Sequence, residues 1–369
     1  MNPLLLHEFH HSLNARFLEL NGAEIVADYG DGMAEYKALR ETAGVLDFSF
    51  RGRLCLLGND RVRFLHGQIT NDVKRLRAGE GCYSALTTAK GKMESDLNLF
   101  NLPDELLLDF EPGLAEKISQ RLEKFIVADD VQIADVTPHY GLLTVQGQKA
   151  SQVVNAVGLA TDGVTGKVRS IVKISDAMLG DIYLANQPRI SSGTEKTGFD
   201  IFVPNNSLGA VADKLIAAAK NVGGRACGWT AFETARIEAG IPRFGADMDE
   251  TNLPMECGIE QSAMNFNKGC YIGQEVLNRV HTIGHVNKEL RGLRLADDLQ
   301  TLPQKNDKLF YNGKEIGYIT SAVKSPALNA TIALGYVRRE ANQIGTELTL
   351  RTAAGDGAVK IVELPFVKS

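Results

Sequence analysis

At 369 residues, with 44% hydrophobic and 23% charged side chains, the chain has the make-up of a folded protein with room for two or three domains. Its net charge of −5 gives no overall pull toward nucleic acid or an anionic membrane, and no apolar stretch approaches the length of a membrane span. The five cysteines are scattered, odd in number and without a Cys-x-x-Cys pair, which argues against a disulfide framework and a self-contained zinc or cluster site.

The N-terminus has a short apolar run without a basic flank, so a signal peptide is not expected and a cytoplasmic protein is. Residues 1–50 read as mixed α and β, with a turn at Asn21-Gly22 and helical texture from Tyr36 to Glu41 ending at Gly44. Leu54-Cys55-Leu56-Leu57 is a short strand closed by Gly58, and Asn59 is placed to cap a helix carrying Val62, Leu65 and Ile69. Arg51, Arg53, Arg61, Arg63, Lys74, Arg75 and Arg77 stand against only Asp60 and Asp72, the one locally basic window of an acidic chain. It reads either as a solvated face or, where the side chains converge, as an anion site.

Alternation from Met93 to Phe100 puts Met93, Leu97 and Leu99 on one strand face and Glu94, Asp96 and Asn98 on the other. Read locally, Asp96 is then an exposed strand residue. An amphipathic helix carries Leu114, Ile118, Leu122 and Phe125, and Phe199, Ile201 and Val203 share one side of a later strand. Ser207 to Lys220 reads as a helix, and Thr230-x-x-Glu233 as the capping box of the next, which stops at Gly240-Ile241-Pro242.

Lys268-Gly269-Cys270-Tyr271-Ile272-Gly273-Gln274-Glu275 then joins a flexible approach to a helical run, with Ile272, Val276 and Val280 on one face. Cys270 is expected at the first helical turn with the Lys268 ammonium two residues away, a setting that favours the thiolate. The bland alternative is a small buried side chain in a capping turn. His281 and His285 have the spacing of a helical metal pair, but Thr282, Ile283 and Gly284 disfavour continued helix and no further ligands adjoin, so no metal is expected. From Lys288 onward the texture is all β, with a hairpin turn at Asn312-Gly313 and strands completing a small barrel.

The eight residues from Lys268 to Glu275 resemble the signature of the YgfZ family, folate-binding proteins tied to iron–sulfur cluster maintenance and tRNA modification. That family is a relative of the glycine-cleavage T-protein, a tetrahydrofolate-dependent aminomethyltransferase. Val45-Leu46-Asp47-Phe48-Ser49, Lys90-Gly91-Lys92-Met93 with Ser95-Asp96, Ala235-Arg236-Ile237-Glu238-Ala239-Gly240 and the Ala-Leu-Gly-Tyr-Val run near the C-terminus are similar to T-protein segments. The resemblance implies an α+β fold: interleaved folate-binding subdomains over residues 1–285 (about 1–50 with 140–285, and 51–139), then a C-terminal β-barrel over 286–369. It implies tetrahydrofolate in a central cavity, contacted by Asp96, Arg189, Glu195, Arg236, Lys268 and Tyr271, with Cys270 as reactive group and Lys268 as its activator.

Ser95 departs from the T-protein's acidic pair, which speaks against the aminomethyltransferase reaction. The expected function is therefore a folate-binding factor supporting iron–sulfur enzymes, including those that modify tRNA, with those enzymes and indirectly tRNA as partners. The alternatives are an active aminomethyltransferase of glycine cleavage and a non-catalytic tRNA- or protein-binding module using the arginine-rich window.

Overall fold

The computed structural model describes residues 1–164, 166–191, 198–297, 299 and 301–367. A six-stranded sheet runs in the order Ile171–Asp176, Gly180–Asn186, Gly198–Pro204, Tyr140–Gln146, Gly44–Asp47 and Arg225–Ala226, antiparallel except for the last pair. In strand Gly198–Pro204, Phe199, Ile201 and Val203 pack beneath helices Ala150–Ala156 and Asn205–Asn221, while Phe202 takes the opposite face. A strand buried on both faces must place its alternate residues in two different cores.

A five-stranded antiparallel sheet follows the order Glu80–Thr87, Met93–Asn101, Leu106–Phe110, Gly52–Leu57 and Gln132–Asp135. Leu54, Leu56, Leu97, Leu99 and Leu108 form one face, covered by Leu65 of helix Arg61–His66 and by Ile118 and Leu122 of helix Ala115–Glu123. The other face packs toward the six-stranded sheet through Cys55, Phe100 and Leu107 against Leu142, Ala185 and Phe202. Lys288–Leu295 to Gly355–Val362 close a six-stranded barrel filled by Leu293, Leu309, Ile319, Val337, Leu350 and Ile361. Its hairpin turn at Asn312-Gly313 has φ of 49° and 78°, the left-handed pair that a tight two-residue loop requires.

Three local expectations are corrected. Helix Arg61–His66 begins after Asp60, and Asn59 instead donates its side-chain amide to Asp130 (2.8 Å). Helix Trp229–Glu238 begins after Gly228, which has no side chain to cap it, so Thr230 lies inside the helix rather than at its cap, and Glu233 pairs with Arg236 and Arg243. The helix after the Lys268 stretch spans Gln274–Ile283, so Cys270 lies ahead of it rather than in its first turn, and Ile272 is not on its face.

The basic window does not converge either. Arg51 is buried on Asp109 and Glu111, and Arg53 donates inward to the Ser49, Thr137 and Tyr140 carbonyls. Arg63 pairs with Asp60 and Asp129, and Arg75 with Asp72. Strand and helix periodicities scatter these side chains over several faces.

Candidate active site

Between the two sheets, helix Trp229–Glu238 and the loop that follows it lies a cavity of about 300 Å³. One wall is aromatic: Phe48 and Phe232 meet edge-to-face at 5.0 Å, with Trp229 5.1 Å from Phe232. The polar face of strand Met93–Asn101 forms another part of the lining, with Asp96 and Asn98 beside Tyr83 of the neighbouring strand. A planar ligand with polar edges suits a slot of this shape and lining.

Most of the charge around the cavity is already matched within the protein. Arg51 binds Asp109 at 2.7 Å and also Glu111; Arg189 bridges Asp109 of one sheet (2.9 Å) and Asp200 of the other. Burial opposes the ionisation of Asp109, but Arg51 and Arg189 outweigh it and hold its carboxyl below the usual carboxylate range. Arg243 binds Glu111 at 2.8 Å and lies over the Trp229 ring.

Asp96 is different. Among the described residues it has no salt-bridge partner, and the Tyr83 hydroxyl donates to it at 2.8 Å. Burial, then repulsion from Glu111, pushes its pKa up to about 6, against the opposing pull of Tyr83 and Arg51. The result is a cavity-facing carboxyl able to exchange a proton near neutral pH. Ser95, by contrast, points into the other face and gives its hydroxyl to the Asp96 carbonyl (2.7 Å). The missing first carboxylate of the pair therefore removes nothing from the cavity, and Ser95 does not speak against the transfer reaction.

The other sequence-derived candidates divide. Arg189 lines the cavity but is held by Asp109 and Asp200. Arg236 also lines it, yet its five N–H donors have protein acceptors: Nε and Nη2 to Glu233 (3.0 and 2.7 Å), Nη2 to Ser321 (3.0 Å), Nη1 to the Ile241 carbonyl (3.2 Å) and to Asp247. Arg236 thus ties the helix to the barrel and has no donor left for a ligand. Glu195 lies outside the described residues.

Lys268, Cys270 and Tyr271 are not among the residues that line the cavity. The Lys268 ammonium is buried and donates to the carbonyls of His66, Ile69 and Asn71 at 2.5, 2.7 and 2.8 Å, with burial lowering its pKa to about 8. Its donors are spent on backbone, so it is a brace for the 66–71 segment and not an activator of Cys270. Cys270 itself is exposed. Tyr271 is buried in the core beneath the barrel, where burial raises its hydroxyl to about 12.

The loop docks through Thr87, whose hydroxyl donates to the Ile272 carbonyl at 2.8 Å. At Gly273 (φ +90°) a Cβ would stand 2.6 Å from the Thr88 carbonyl, so only glycine permits this approach. His281, finally, pairs with Glu260 at 2.6 Å and stacks on Phe266.

Tyr83, Glu111, Arg169, Trp229 and Arg243 went unnoticed in the sequence as cavity residues. The one available signal was strand register: Tyr83 stands opposite Asn98, two residues from Asp96.

Two sheets enclosing an aromatic-walled cavity with a carboxyl that has no cationic partner among the described residues, followed by a closed barrel, define a ligand-binding α+β protein of T-protein architecture. The chain belongs to the glycine cleavage T-protein family: residues 6–268 match the GCVT N-terminal domain and residues 288–368 the glycine cleavage T-protein C-terminal barrel domain. It is 27% identical over 371 residues to the aminomethyltransferase of Shouchella clausii (98% of this chain, 97% of that protein). It is 26% identical over 366 residues to the aminomethyltransferase of Bacillus subtilis (98% of each). The crystal structure of the glycine cleavage system aminomethyltransferase T from Bartonella henselae superimposes with a TM-score of 0.88 at 23% identity, covering 100% of this chain and 98% of that one. These relatives overturn the reading as an iron–sulfur and tRNA maintenance factor and favour the aminomethyltransferase alternative. Among the described residues no helix is long and apolar enough to cross a membrane.

Proposed function

We propose that this chain is a folate-dependent one-carbon transferase, and specifically an aminomethyltransferase, with tetrahydrofolate held in the cavity between the sheets. The observation that carries this reading is Asp96: a cavity-facing carboxyl without a salt-bridge partner among the described residues, its pKa raised to about 6, in a protein of the T-protein family. The lining fits the ligand, since Phe48, Trp229 and Phe232 offer flat apolar contact and Asp96 offers an acceptor for a ring or amino N–H. When bound, tetrahydrofolate supplies the nitrogen acceptors of the one-carbon unit.

The protein's share is then physical. The aromatic wall excludes water, which strengthens every polar contact inside. Ionised Asp96 would accept a proton at Oδ from an attacking nitrogen and return it to the ammonia that departs as the carbon–nitrogen bond of the aminomethyl group breaks. The carbon–sulfur bond breaks as the second nitrogen bonds the carbon, and that nitrogen's proton ends on the carrier's thiolate. Tyr83, donating to Oδ2, sets the orientation of that carboxyl, and the Arg51–Asp109–Arg189 chain keeps the surrounding charges fixed. Incubating the protein with an aminomethylated lipoyl carrier protein tests the proposal. Ammonia release that requires tetrahydrofolate is expected; release independent of tetrahydrofolate, or none at all, contradicts it.

A further inference from the structure

Five arginines line the cavity: Arg51, Arg169, Arg189, Arg236 and Arg243. Four are neutralised by buried or partly buried carboxylates. Arg169 alone has no carboxylate partner among the described residues; its single hydrogen bond to a side chain runs from Nε to the Asn98 carbonyl oxygen at 3.1 Å. The guanidinium lies over the Tyr83 ring, 5.3 Å from its centre, and burial together with nearby Arg189 works against its charge.

The backbone is arranged to put it there. Arg169 has φ of 64°, a left-handed conformation that costs an ordinary side chain energy and marks a position fixed by its surroundings. Its N–H is held by the Asn186 carbonyl at 2.7 Å. Its carbonyl packs so close to Gly81 that a Cβ there would approach within 2.8 Å. Asn98 fixes the side chain, accepting from both Arg169 and Gln187 and donating to Asp109. A strained, oriented cation in a ligand cavity, without a counter-ion among the described residues, calls for an anion from the ligand.

Its place defines which part of the ligand that is. Asn71 joins the Tyr83 carbonyl to the Ser262 carbonyl (2.8 and 3.2 Å), and Ser262 and Gly258 are exposed cavity residues that mark the mouth. Arg169 is itself only partly buried, whereas Phe48, Trp229 and Phe232 are buried, so Arg169 is on the more open side of the cavity. We propose that Arg169 binds the carboxylate of the ligand's outer end, the glutamyl carboxylate of a folate, and so selects glutamylated over unglutamylated pterins. Arg236, expected from the sequence to contact the ligand, has all its donors met within the protein, whereas Arg169 is the cavity arginine with no carboxylate partner among the described residues. This inference rests on the folate reading for its named ligand, but the anion preference stands by itself.

Trp229 is the chain's single tryptophan and lies in the cavity wall, so its fluorescence reports binding directly. Wild type and Arg169→Gln are to be titrated with tetrahydrofolate, with tetrahydropteroate, which lacks the glutamate, and with p-aminobenzoylglutamate, which lacks the pterin. Loss of one charge-assisted pair predicts a weakening of about 10- to 100-fold for the two glutamylated ligands. Tetrahydropteroate should bind both proteins alike, and Arg169→Lys should recover part of the loss. If p-aminobenzoylglutamate binds in an Arg169-dependent way while neither pterin binds, the folate reading fails and the anion site stands. Equal weakening of all three ligands, no weakening of the glutamylated pair, or no binding by any of the three overturns the proposal for Arg169.

Discussion

The cavity and the Lys268–Glu275 loop are built from similar residue types, and they use them in opposite ways. In the loop, the one buried cation is consumed: three backbone carbonyls surround the Lys268 ammonium, and Gly273 lets the chain pack against Thr88. In the cavity, neither the Asp96 carboxyl nor the Arg169 guanidinium has an oppositely charged partner among the described residues, and one sits on the hydroxyl of Tyr83, the other on its ring. A polar group whose capacity is met by its own protein supports the fold, whereas one left unmet in a cavity is available to a ligand. By that criterion the loop reads as scaffold and the cavity as the candidate site.

The comparison breaks most visibly at Asp96. Asp96→Asn keeps the shape of the cavity wall but removes the proton acceptor, so transfer activity should fall by about 100- to 10,000-fold, measured as ammonia release under saturating carrier protein. A loss below tenfold would place the chemistry elsewhere. The loop gives the next largest effect, on stability rather than rate. Lys268→Met leaves the His66, Ile69 and Asn71 carbonyls without their shared donor and should cost about 2–4 kcal/mol in urea denaturation. An unchanged midpoint would mean that the ammonium is not the brace described.

The smallest effect separates exposure from activation at Cys270. Burial raises the thiols of Cys82 and Cys257 to about 12 and those of Cys55 and Cys227 higher still, while Cys270 is exposed. Cys270 should alkylate first, and Cys270→Ser should leave transfer activity within about twofold of wild type, because the thiol does not line the cavity. A Cys270→Ser enzyme that loses its activity would return the loop to the reaction.

Much of this architecture was readable in advance, for local reasons. Period-two alternation placed Asp96 with Asn98 and opposite Leu97, and the Asn-Gly pair marked the barrel hairpin at residues 312–313. Alternation names a face without naming what lies across from it. Asp96 looked solvent-exposed because the aromatic wall of its cavity comes from residues 48, 229 and 232. The same limit hid which arginines were free: Arg51 meets Asp109 across 58 residues, and Arg189 meets it across 80. Ser95 misled for the converse reason, since a sequence motif does not separate a residue facing the ligand from its neighbour facing the core. Lys268 and Cys270, two positions apart, looked like a pair; the irregular backbone ahead of Gln274 sends one inward and leaves the other in solvent.

If Asp96 is the ionised proton acceptor of the transfer, the pH dependence of kcat/KM must report its titration. A carboxyl raised to about 6 is ionised above that value and protonated below it, so the rate should be flat above pH 7 and fall tenfold per pH unit below about pH 6. Asp96→Asn should abolish this limb along with most of the rate. A profile that stays level down to pH 5, or a limb near pH 6 that survives in Asp96→Asn, would contradict the account.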